Sequence, residues 1–199
     1  MGNNKSLMDE NMNRKIRILI CDTVGKVAAV AFPESQRVAS PIQCLSMAVS
    51  SVPDVIVIHF GRTSIQERMA LVELAAALKR NRHTNESLVL ALLKFKHRRL
   101  VEDLAGAAVD YLKIVGDAEL GSEQLHDILK NLEPGDSPLQ HLKVLCPFIH
   151  YSKIDSRHEM CVCGAYQDRM VLGGRRLREL CQTENHLHCE YYLNPRTAS

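Results

Sequence analysis

The sequence predicts an α/β fold: a doubly wound, five-stranded parallel sheet, followed by a small cysteine-rich module at the C-terminal end. Short apolar runs alternate along the chain with longer segments whose apolar residues recur at helical spacing. This alternation is typical of parallel sheets covered by helices on both faces. The apolar patterning weakens near residue 133, and five of the seven cysteines lie beyond residue 145.

The predicted strands are apolar runs with little alternation, as expected of strands buried on both faces. Four of them are IRILICD (16–22), DVIVIHF (54–60), SLVLALL (87–93) and VDYLKIV (109–115). A shorter strand, QRVAS (36–40), precedes the first long helix. Parallel strands need crossover connections, and the segments between these runs are the predicted crossovers.

The segments between the strands have the spacing of amphipathic helices. They are PIQCLSMAV (41–49), IQERMALVELAAALKR (65–80), HRRLVEDLAGA (97–107) and SEQLHDILKNL (122–132), with a short helix expected between the first two strands. Strands and helices therefore alternate up to about Leu132, where the predicted sheet domain ends.

Length and composition divide the chain into four segments. At 199 residues it is long enough for one ordinary domain and a small one. The stretch EPGDSP (133–138) has the composition of a linker. We therefore predict a disordered tail over 1–14, a sheet domain over 15–132, this linker, and a cysteine-rich module over 139–195.

Charge and hydropathy argue against several classes of function. The formal net charge is +2, so we expect no nucleic-acid partner and interpret the arginines of GGRRLREL (173–180) as a solvated helix face. No apolar run is long enough to span a bilayer, and the first residues lack the apolar core of a signal peptide. We therefore expect a cytoplasmic protein without a membrane partner. No Ser-His-Asp or paired-carboxylate pattern stands out, so we expect no enzymatic activity.

The five C-terminal cysteines are the candidate metal ligands. In a reducing cytosol, clustered cysteines are more often metal ligands or redox-active thiols than structural disulfides. Their region has too little patterned apolar sequence to fold on burial alone, so we expect a metal centre to cross-link it. The candidates are Cys146, Cys161, Cys163, Cys181 and Cys189, with His150, His158, His186 and His188 as substitutes.

The spacing of these cysteines favours an iron–sulfur cluster over zinc. Structural zinc sites usually draw their ligands in C-x2-C pairs, and the sequence has none. A four-iron (4Fe-4S) cluster tolerates scattered ligands and often has a proline after a ligating cysteine, as in Cys146-Pro147. Zinc, and a redox-active dithiol or disulfide, are the alternatives. One of the five cysteines is spare, and Cys161 and Cys163 compete for the same ligand position.

Three stretches resemble the receiver domains of bacterial two-component response regulators. PDVIVIHF (53–60) resembles the family's third strand, AGAAVDYLKI (105–114) the end of its fourth helix and its fifth strand, and SEQLHDILKNL (122–132) its closing helix. The resemblance covers about residues 15–132. It implies a CheY-like receiver fold and a role in signalling.

The same resemblance implies a degenerate phosphorylation site. The family phosphorylates an aspartate at the end of its third strand, beside an acidic pair that holds magnesium, and places a lysine after its fifth strand. Here Asp22 matches one member of the acidic pair, His59 stands in place of the phosphorylated aspartate, and Ile114 in place of the lysine. A lone carboxylate is a poor magnesium site, so we interpret the domain as a pseudo-receiver that cannot be phosphorylated. The alternative is that His59 accepts the phosphoryl group.

Two further resemblances concern partners and the C-terminal module. Tyr111 matches an aromatic position on the family's partner-binding face, so a protein partner is expected there, with simple packing of the ring as the alternative. Homodimerisation stays open. The C-terminal region is similar to small cysteine modules of bacterial signalling proteins, which share a C-P start and a C-x-T-E-x4-C finish; here these are Cys146-Pro147 and the stretch from Cys181 to Cys189.

Together these features predict a signalling protein in which a receiver-like domain serves protein interaction and a cysteine-ligated metal module senses redox or iron state. Two other functions stay open. One is a non-catalytic adaptor held together by structural zinc, and the other is an atypical phosphorelay response regulator. Fold analogy favours the first function, although a fold does not by itself establish a function.

Overall fold

The computed structural model describes residues 16–27 and 35–196. The tail predicted over 1–14, and most of the connection predicted to hold a short helix, lie outside the described residues. Within the described ranges, no helix is long and apolar enough to cross a membrane. The elements of the sheet domain are β1 (Ile18–Cys21), β2 (Ser35–Val38), α1 (Pro41–Ser51), β3 (Val55–Phe60), α2 (Ile65–Arg80), β4 (Leu88–Leu93), α3 (Arg98–Gly106), β5 (Tyr111–Ile114) and α4 (Ser122–Lys130).

The first five strands form one parallel sheet in the order β2-β1-β3-β4-β5. The order reverses direction between β1 and β3, which is the arrangement of flavodoxin-like doubly wound domains. The predicted fold class is confirmed. In such sheets ligands bind where the strand order reverses, outside the carboxyl ends of the strands. That end of the sheet is named the carboxyl edge below.

Each face of the sheet is covered by its own apolar cluster, which explains why the strand sequences do not alternate. Ile56 and Ile58 of β3 belong to the larger cluster with α1, α2 and α3, while Val55 and Val57 belong to a second cluster with α4. All four side chains are at most 5 % exposed. Burying a side chain of this size stabilises the fold by about 1.5–3 kcal/mol. The central strands therefore contribute strongly to stability.

Two helices begin where the sequence supplies a capping residue. The Ser64 hydroxyl accepts a hydrogen bond from the Glu67 N–H at 3.2 Å, and the Glu67 carboxylate accepts one from the Ser64 N–H at 2.7 Å. This capping box satisfies free N–H groups at the start of α2. Ser40 caps α1 through the N–H of Gln43, with Pro41 at the first helical position.

The last third of the described chain is built from short elements. The strands and α-helices are α5 (Pro138–Lys143), β6 (Ile149–Lys153), β7 (Glu159–Cys163), α6 (Gly174–Arg176) and α7 (Glu190–Leu193). Before and between them lie 3-10 turns at Pro134–Asp136, Gly164–Tyr166 and Glu184–His188, and a π-helical turn at Leu177–Cys181. Strands β6 and β7 pair as an antiparallel hairpin. A third apolar cluster lies in this region, and it includes Cys146, Cys163 and Cys181.

The start of this region packs against strand β5. Leu145 joins the larger apolar cluster of the sheet domain. The His141 Nε2 atom donates a hydrogen bond to the Leu112 carbonyl at 3.1 Å, and Lys113 forms an ion pair with Asp136 at 2.7 Å. The segment predicted as a linker therefore forms a turn and the start of α5 beside the sheet.

Candidate functional site

Asp22 and His59 lie side by side at the carboxyl edge. Strands β1 and β3 are neighbours with Cys21 opposite Ile58, so the residues that follow these two also meet. The His59 Nδ1 atom is 3.0 Å from Asp22 Oδ1, and the two side chains are 2 % and 0 % exposed. The two residues predicted to be remnants of a phosphorylation site are therefore a buried pair.

The Asp22 carboxylate also anchors the loop that follows β1. Oδ1 accepts hydrogen bonds from the N–H groups of Val24 (3.2 Å) and Gly25 (3.0 Å), and Oδ2 accepts one from Val27 (2.8 Å). Gly25 adopts a φ of 80°, a conformation that favours glycine. With His59 as a fourth donor, both carboxylate oxygens are hydrogen-bonded within the protein.

These hydrogen bonds govern the ionisation of Asp22. Burial alone would raise its pKa, but the hydrogen bonds from His59 and from the Val27 N–H outweigh burial and hold the pKa well below its usual range. An ionised carboxylate can only accept hydrogen bonds, so His59 Nδ1 carries the proton in this contact. Asp22 is therefore charged although it is buried.

Gly61 allows the loops after β1 and β3 to approach each other. A β-carbon at this position would lie 2.9 Å from Val24 Cγ2 and 3.2 Å from the His59 ring. Contacts this short would push the two loops apart. The close packing around the Asp22–His59 pair therefore depends on a residue without a side chain.

Asp117 connects several loops at the rim of the carboxyl edge. Its carboxylate lies 2.6 Å from Lys94 Nζ and 3.1 Å from Arg62 Nη2, and its carbonyl accepts a hydrogen bond from Lys26 Nζ at 2.8 Å. The hydrogen bond from Lys94 is the main cause that lowers the pKa of Asp117. These residues could not be grouped from the sequence, because they follow four different strands and share no local motif.

The other positions singled out by the receiver resemblance lie on β5. Ile114, which stands in place of the family's lysine, is 37 % exposed. The neighbouring Lys113 is bound to Asp136. Tyr111 is partly buried and packs against the second apolar cluster. The expected role of Tyr111 in partner binding stays a prediction.

The β6–β7 hairpin docks on the sheet domain through four side chains, named the junction below. The Arg68 Nη2 atom is 2.7 Å from Glu159 Oε2, and His97 Nε2 is 3.1 Å from the same oxygen. The His97 and Tyr151 rings stack with their centroids 3.7 Å apart and their planes at 11°. Arg68 and His97 belong to the sheet domain, and Glu159 and Tyr151 to the hairpin.

Burial sets the charges in the junction. Burial and the nearby Arg68 lower the pKa of His97 to about 4, so its ring is neutral at neutral pH. His97 Nδ1 accepts a hydrogen bond from the Leu100 N–H at 3.1 Å, so the proton is on Nε2, facing Glu159. Burial would raise the pKa of Glu159, but the bond from Arg68 outweighs burial and lowers it. The junction is therefore an ion pair with a neutral histidine beside it.

The structure brings the five predicted cysteines into one region. Cys146, Cys163 and Cys181 are at most 7 % exposed, while Cys161 and Cys189 are half-buried. They lie after α5, on β7, after α6 and directly before α7, and all five are free thiols. Several separate segments of the chain therefore converge around these thiols.

Burial has the largest effect on the Cys146 and Cys163 thiols, and it raises the pKa of both. The backbone of Phe148, beside Cys146, and that of Ala165 and Tyr166, beside Cys163, offset part of that rise. The thiolate form therefore has more support at these two cysteines than at Cys161 or Cys181.

Burial favours the neutral form of two further thiols, Cys161 and Cys181. It raises the pKa of Cys161 to about 11 and that of Cys181 to about 12. Among residues 16–27 and 35–196, no group of three or more Cys, His, Asp or Glu side chains is placed so that it could hold a metal ion. Thiolate sulfur atoms suit a thiophilic metal centre, but the cysteine side chains would have to move closer together to bind one.

Three of the four candidate histidines have hydrogen-bond partners of their own. These are His150 with Asp168, His158 with Asp155, and His186 with the Thr183 carbonyl, at 2.7–2.9 Å. The His150 ring also lies on Gly164, where a β-carbon would overlap it. These three histidines therefore hold local structure around the cysteines.

A cavity of about 980 Å³ lies between the hairpin and the carboxyl edge. Its wall includes Phe60 and Lys94 from the sheet domain, and Arg157 and Cys161 from the hairpin. Cys163, two residues further along β7, is buried in the third apolar cluster. Both cysteines of β7 therefore contact the third apolar cluster, and Cys161 also lines the cavity.

No protein-family model and no curated protein matches this chain. Among solved structures, the phosphorylated cyanobacterial phytochrome response regulator RcpA is similar to it, at 15 % identity over 62 % of this chain and 94 % of that chain, with a TM-score of 0.42. A response regulator from Desulfuromonas acetoxidans is similar at 22 % identity over 59 % of this chain and 99 % of that chain, with a TM-score of 0.40.

Proposed function

We propose that this chain is a cytoplasmic signalling regulator with two working parts. Its receiver-like domain binds protein partners without being phosphorylated, and its cysteine module holds a metal centre that responds to redox or iron state. The Asp22–His59 pair is the observation that carries this proposal. We assign no catalytic residue.

The Asp22–His59 pair supports the loss of phosphorylation in two ways. Magnesium needs several free oxygen ligands, whereas both Asp22 oxygens accept hydrogen bonds from backbone N–H groups or His59. A phosphoryl acceptor must also be reached by its donor, whereas His59 is 2 % exposed. The same two observations disfavour an atypical phosphorelay function with His59 as the acceptor.

The partner surface is the α4 side of β5, which includes Tyr111. His141 and the turn before α5 contact Leu112 and Lys113 of the same strand. Part of the face that binds partners in receiver domains is therefore covered by the chain's own C-terminal region. Tyr111 packs toward α4 and is half-buried, so a partner can still reach its exposed part.

For the metal centre we propose an iron–sulfur cluster, with structural zinc as the second candidate. The convergence of free cysteines from separate segments supports a thiolate-bound centre of either kind. The lack of C-x2-C pairs favours the cluster. A zinc-containing protein would instead be a non-catalytic adaptor.

Phosphorylation is tested by incubating the reduced protein with acetyl phosphate and Mg²⁺ and measuring its mass. We expect no added phosphate. Uptake that is lost in His59→Gln and kept in the control variant His83→Gln, at an exposed histidine, would establish the phosphorelay function instead.

Metal analysis of protein purified without oxygen tests the second part. We expect iron and acid-labile sulfide, with a brown colour that bleaches in air. Stoichiometric zinc without iron would make the protein an adaptor. Protein that binds neither metal would remove the proposed metal module.

A further inference from the structure

The cavity between the hairpin and the carboxyl edge is large enough to hold a small organic molecule. Its volume of about 980 Å³ lies within the range of about 300–1,000 Å³ that is usual for ligand pockets. We propose that this cavity binds a small organic anion with an apolar body, such as an aromatic carboxylate or phosphate ester. This inference goes beyond the proposed function and does not depend on the metal module.

The place of the cavity in the fold favours a ligand site. Ligands of doubly wound domains bind outside the carboxyl ends of the strands. Arg62 follows β3, Lys94 and Phe95 follow β4, and all three line the cavity. One wall of the cavity is therefore built by the loops that leave the carboxyl edge.

The hairpin forms the opposite wall, and two contacts hold it in place. The Ile65 N–H, at the start of α2, donates a hydrogen bond to the Ser156 carbonyl at 3.2 Å, between the two strands of the hairpin. The second contact is the junction, where Arg68 binds Glu159 at 2.7 Å. Both walls are therefore positioned without a ligand, as they are in most ligand sites.

The apolar part of the lining provides a surface for the body of a ligand. Phe60, Leu93 and Leu100 form part of it and are at most 5 % exposed. The Phe95 side chain lines the same cavity but is 53 % exposed. A ligand that covers an exposed aromatic ring removes apolar surface from water, which favours binding. Phe95 is therefore the expected contact for an apolar or aromatic group.

The charged part of the lining favours an anion. Four lysine and arginine side chains line the cavity, against two carboxylates: these are Arg62, Arg68, Lys94 and Arg157, with Glu67 and Glu159. A cleft with an excess of one charge attracts ligands of the opposite charge. Arginine also matches the geometry of carboxylate and phosphate groups.

Both carboxylates of the lining already have partners. Glu159 binds Arg68 in the junction, and Glu67 accepts a hydrogen bond from the Ser64 N–H at 2.7 Å in the capping box of α2. They therefore leave the remaining cations of the lining without a counter-charge from within it.

The remaining cations of the lining are only partly neutralised by the protein. Arg62 and Lys94 share one carboxylate, that of Asp117 outside the lining. Arg157 forms no ion pair with any residue that the structure describes. Positive charge from both walls therefore stays available to an anionic group.

Two fluorescent dyes test the proposal on the native, reduced protein. Anilinonaphthalene sulfonate (ANS) combines an anionic group with apolar rings, and phenylnaphthylamine has the same rings without the charge. We expect ANS to bind saturably at a single site. The uncharged dye should bind at least about tenfold more weakly, because a hydrogen bond to a charged group is lost.

Variants show whether the dye binds in this cavity. Phe95→Ala and Arg157→Gln should each weaken ANS binding severalfold. The matched controls are Ile42→Ala and Arg175→Gln, which change exposed side chains outside the lining and should leave binding unchanged. Circular dichroism confirms that each variant is folded.

Three results would overturn the proposal. One is the absence of saturable ANS binding, or an equal loss in the cavity variants and the controls. Another is equally strong binding of the two dyes, which would show that the charge of the lining does not select an anion. The third is dye release as the protein concentration rises, together with dimers detected by light scattering, which would assign the cavity to a second copy of this chain. Metal analysis tests the metal module independently of all three.

Discussion

At the scale of single residues, the Asp22 carboxylate has a structural role at the carboxyl edge. A buried carboxylate is stable only when hydrogen bonds replace the water that it has lost. Asp22 receives three of them from one loop and a fourth from His59. Its charge therefore stabilises both the loop after β1 and the contact between β1 and β3.

We expect Asp22→Asn to lower the free energy of unfolding by about 2–4 kcal/mol, because an amide nitrogen in place of one oxygen leaves buried donors unpaired. Urea denaturation followed by circular dichroism measures this loss. Asp117→Asn is the control: Asp117 is 45 % exposed and its ion pairs are at the surface, so we expect little change. Equal losses in the two variants would contradict the structural role of Asp22.

Gly164 lies so close to the His150 ring that there is no room for a β-carbon. We expect Gly164→Ala to destabilise the protein by about 1–3 kcal/mol, because the new methyl group overlaps the His150 ring. Thermal unfolding of the variant measures the loss. The double variant Gly164→Ala, His150→Ala should recover part of it, since removing the ring makes room. No recovery would mean that the overlap is not the cause.

At the scale of elements, the hairpin completes the start of α3. The first N–H groups of a helix have no partner within the helix. Here the Arg98 N–H donates to the Tyr151 hydroxyl at 2.9 Å, and the Leu100 N–H donates to His97. The stacking of His97 on Tyr151 joins these two contacts. Helix α3 is therefore capped partly by its own residues and partly by the hairpin.

The ion pair of the junction should be sensitive to the loss of one partner. We expect Glu159→Gln to lower the free energy of unfolding by about 1–3 kcal/mol, because Arg68 is left without a counter-charge in a mostly buried site. Glu179→Gln removes an exposed pair with Arg175 and should have little effect. Chemical denaturation compares the two variants, and an equal loss in both would contradict a special role for the junction.

The junction should also depend on pH through His97. Its pKa is lowered from 6.5 to about 4 in the folded protein, so the unfolded chain binds a proton that the folded chain does not. The contribution of His97 to the free energy of unfolding is therefore fully present above about pH 6.5 and is lost as the pH falls towards about 4. We expect a smaller fall in His97→Asn, which keeps an acceptor at the start of α3 but does not titrate. Denaturation curves measured across this pH range test this expectation. An equal loss of stability in the wild type and in His97→Asn would show that His97 is not the group whose protonation destabilises the protein.

At the scale of the whole molecule, the parallel sheet was predictable because its strands are buried on both faces and its longer helices are amphipathic. The bounds of α2 agree with the predicted 65–80. The C-terminal elements were not predictable, because they depend on contacts such as Arg68 with Glu159, which lie 91 residues apart. The convergence of the cysteines was expected from their number, whereas the backbone contact that joins Cys146 to Cys181 could not be predicted from the sequence.

Residues next to two candidate metal ligands, Cys146 and Cys181, contact the start of α3. The Leu145 carbonyl, next to Cys146, accepts a hydrogen bond from Arg98 Nη1 at 2.6 Å. Gln182, next to Cys181, exchanges two hydrogen bonds with Lys96, at 2.6 Å and 3.2 Å. A change at the proposed metal centre would therefore affect the sheet domain through one short segment.

We expect metal loading to slow hydrogen exchange at the start of α3, because ligation holds the backbone on both sides of this segment. Exchange measured by mass spectrometry on loaded and stripped protein checks this. Gln182→Ala should weaken the effect without changing the metal content, and α4, on the other face of the sheet, is the internal control. The same slowing in α4 would indicate a general stabilisation and contradict a specific connection.

Strand β5 ends the sheet, with β4 as its one hydrogen-bonded neighbour in the described sheet. An uncovered edge strand promotes aggregation, because its unpaired backbone N–H and C=O groups can pair with strands of other molecules. Here His141 donates a hydrogen bond to the Leu112 carbonyl, and Asp136, in the turn Pro134–Asp136, forms an ion pair with Lys113. A protein truncated after residue 132 would lose these contacts. We therefore expect it to aggregate more readily than the protein with its C-terminal third.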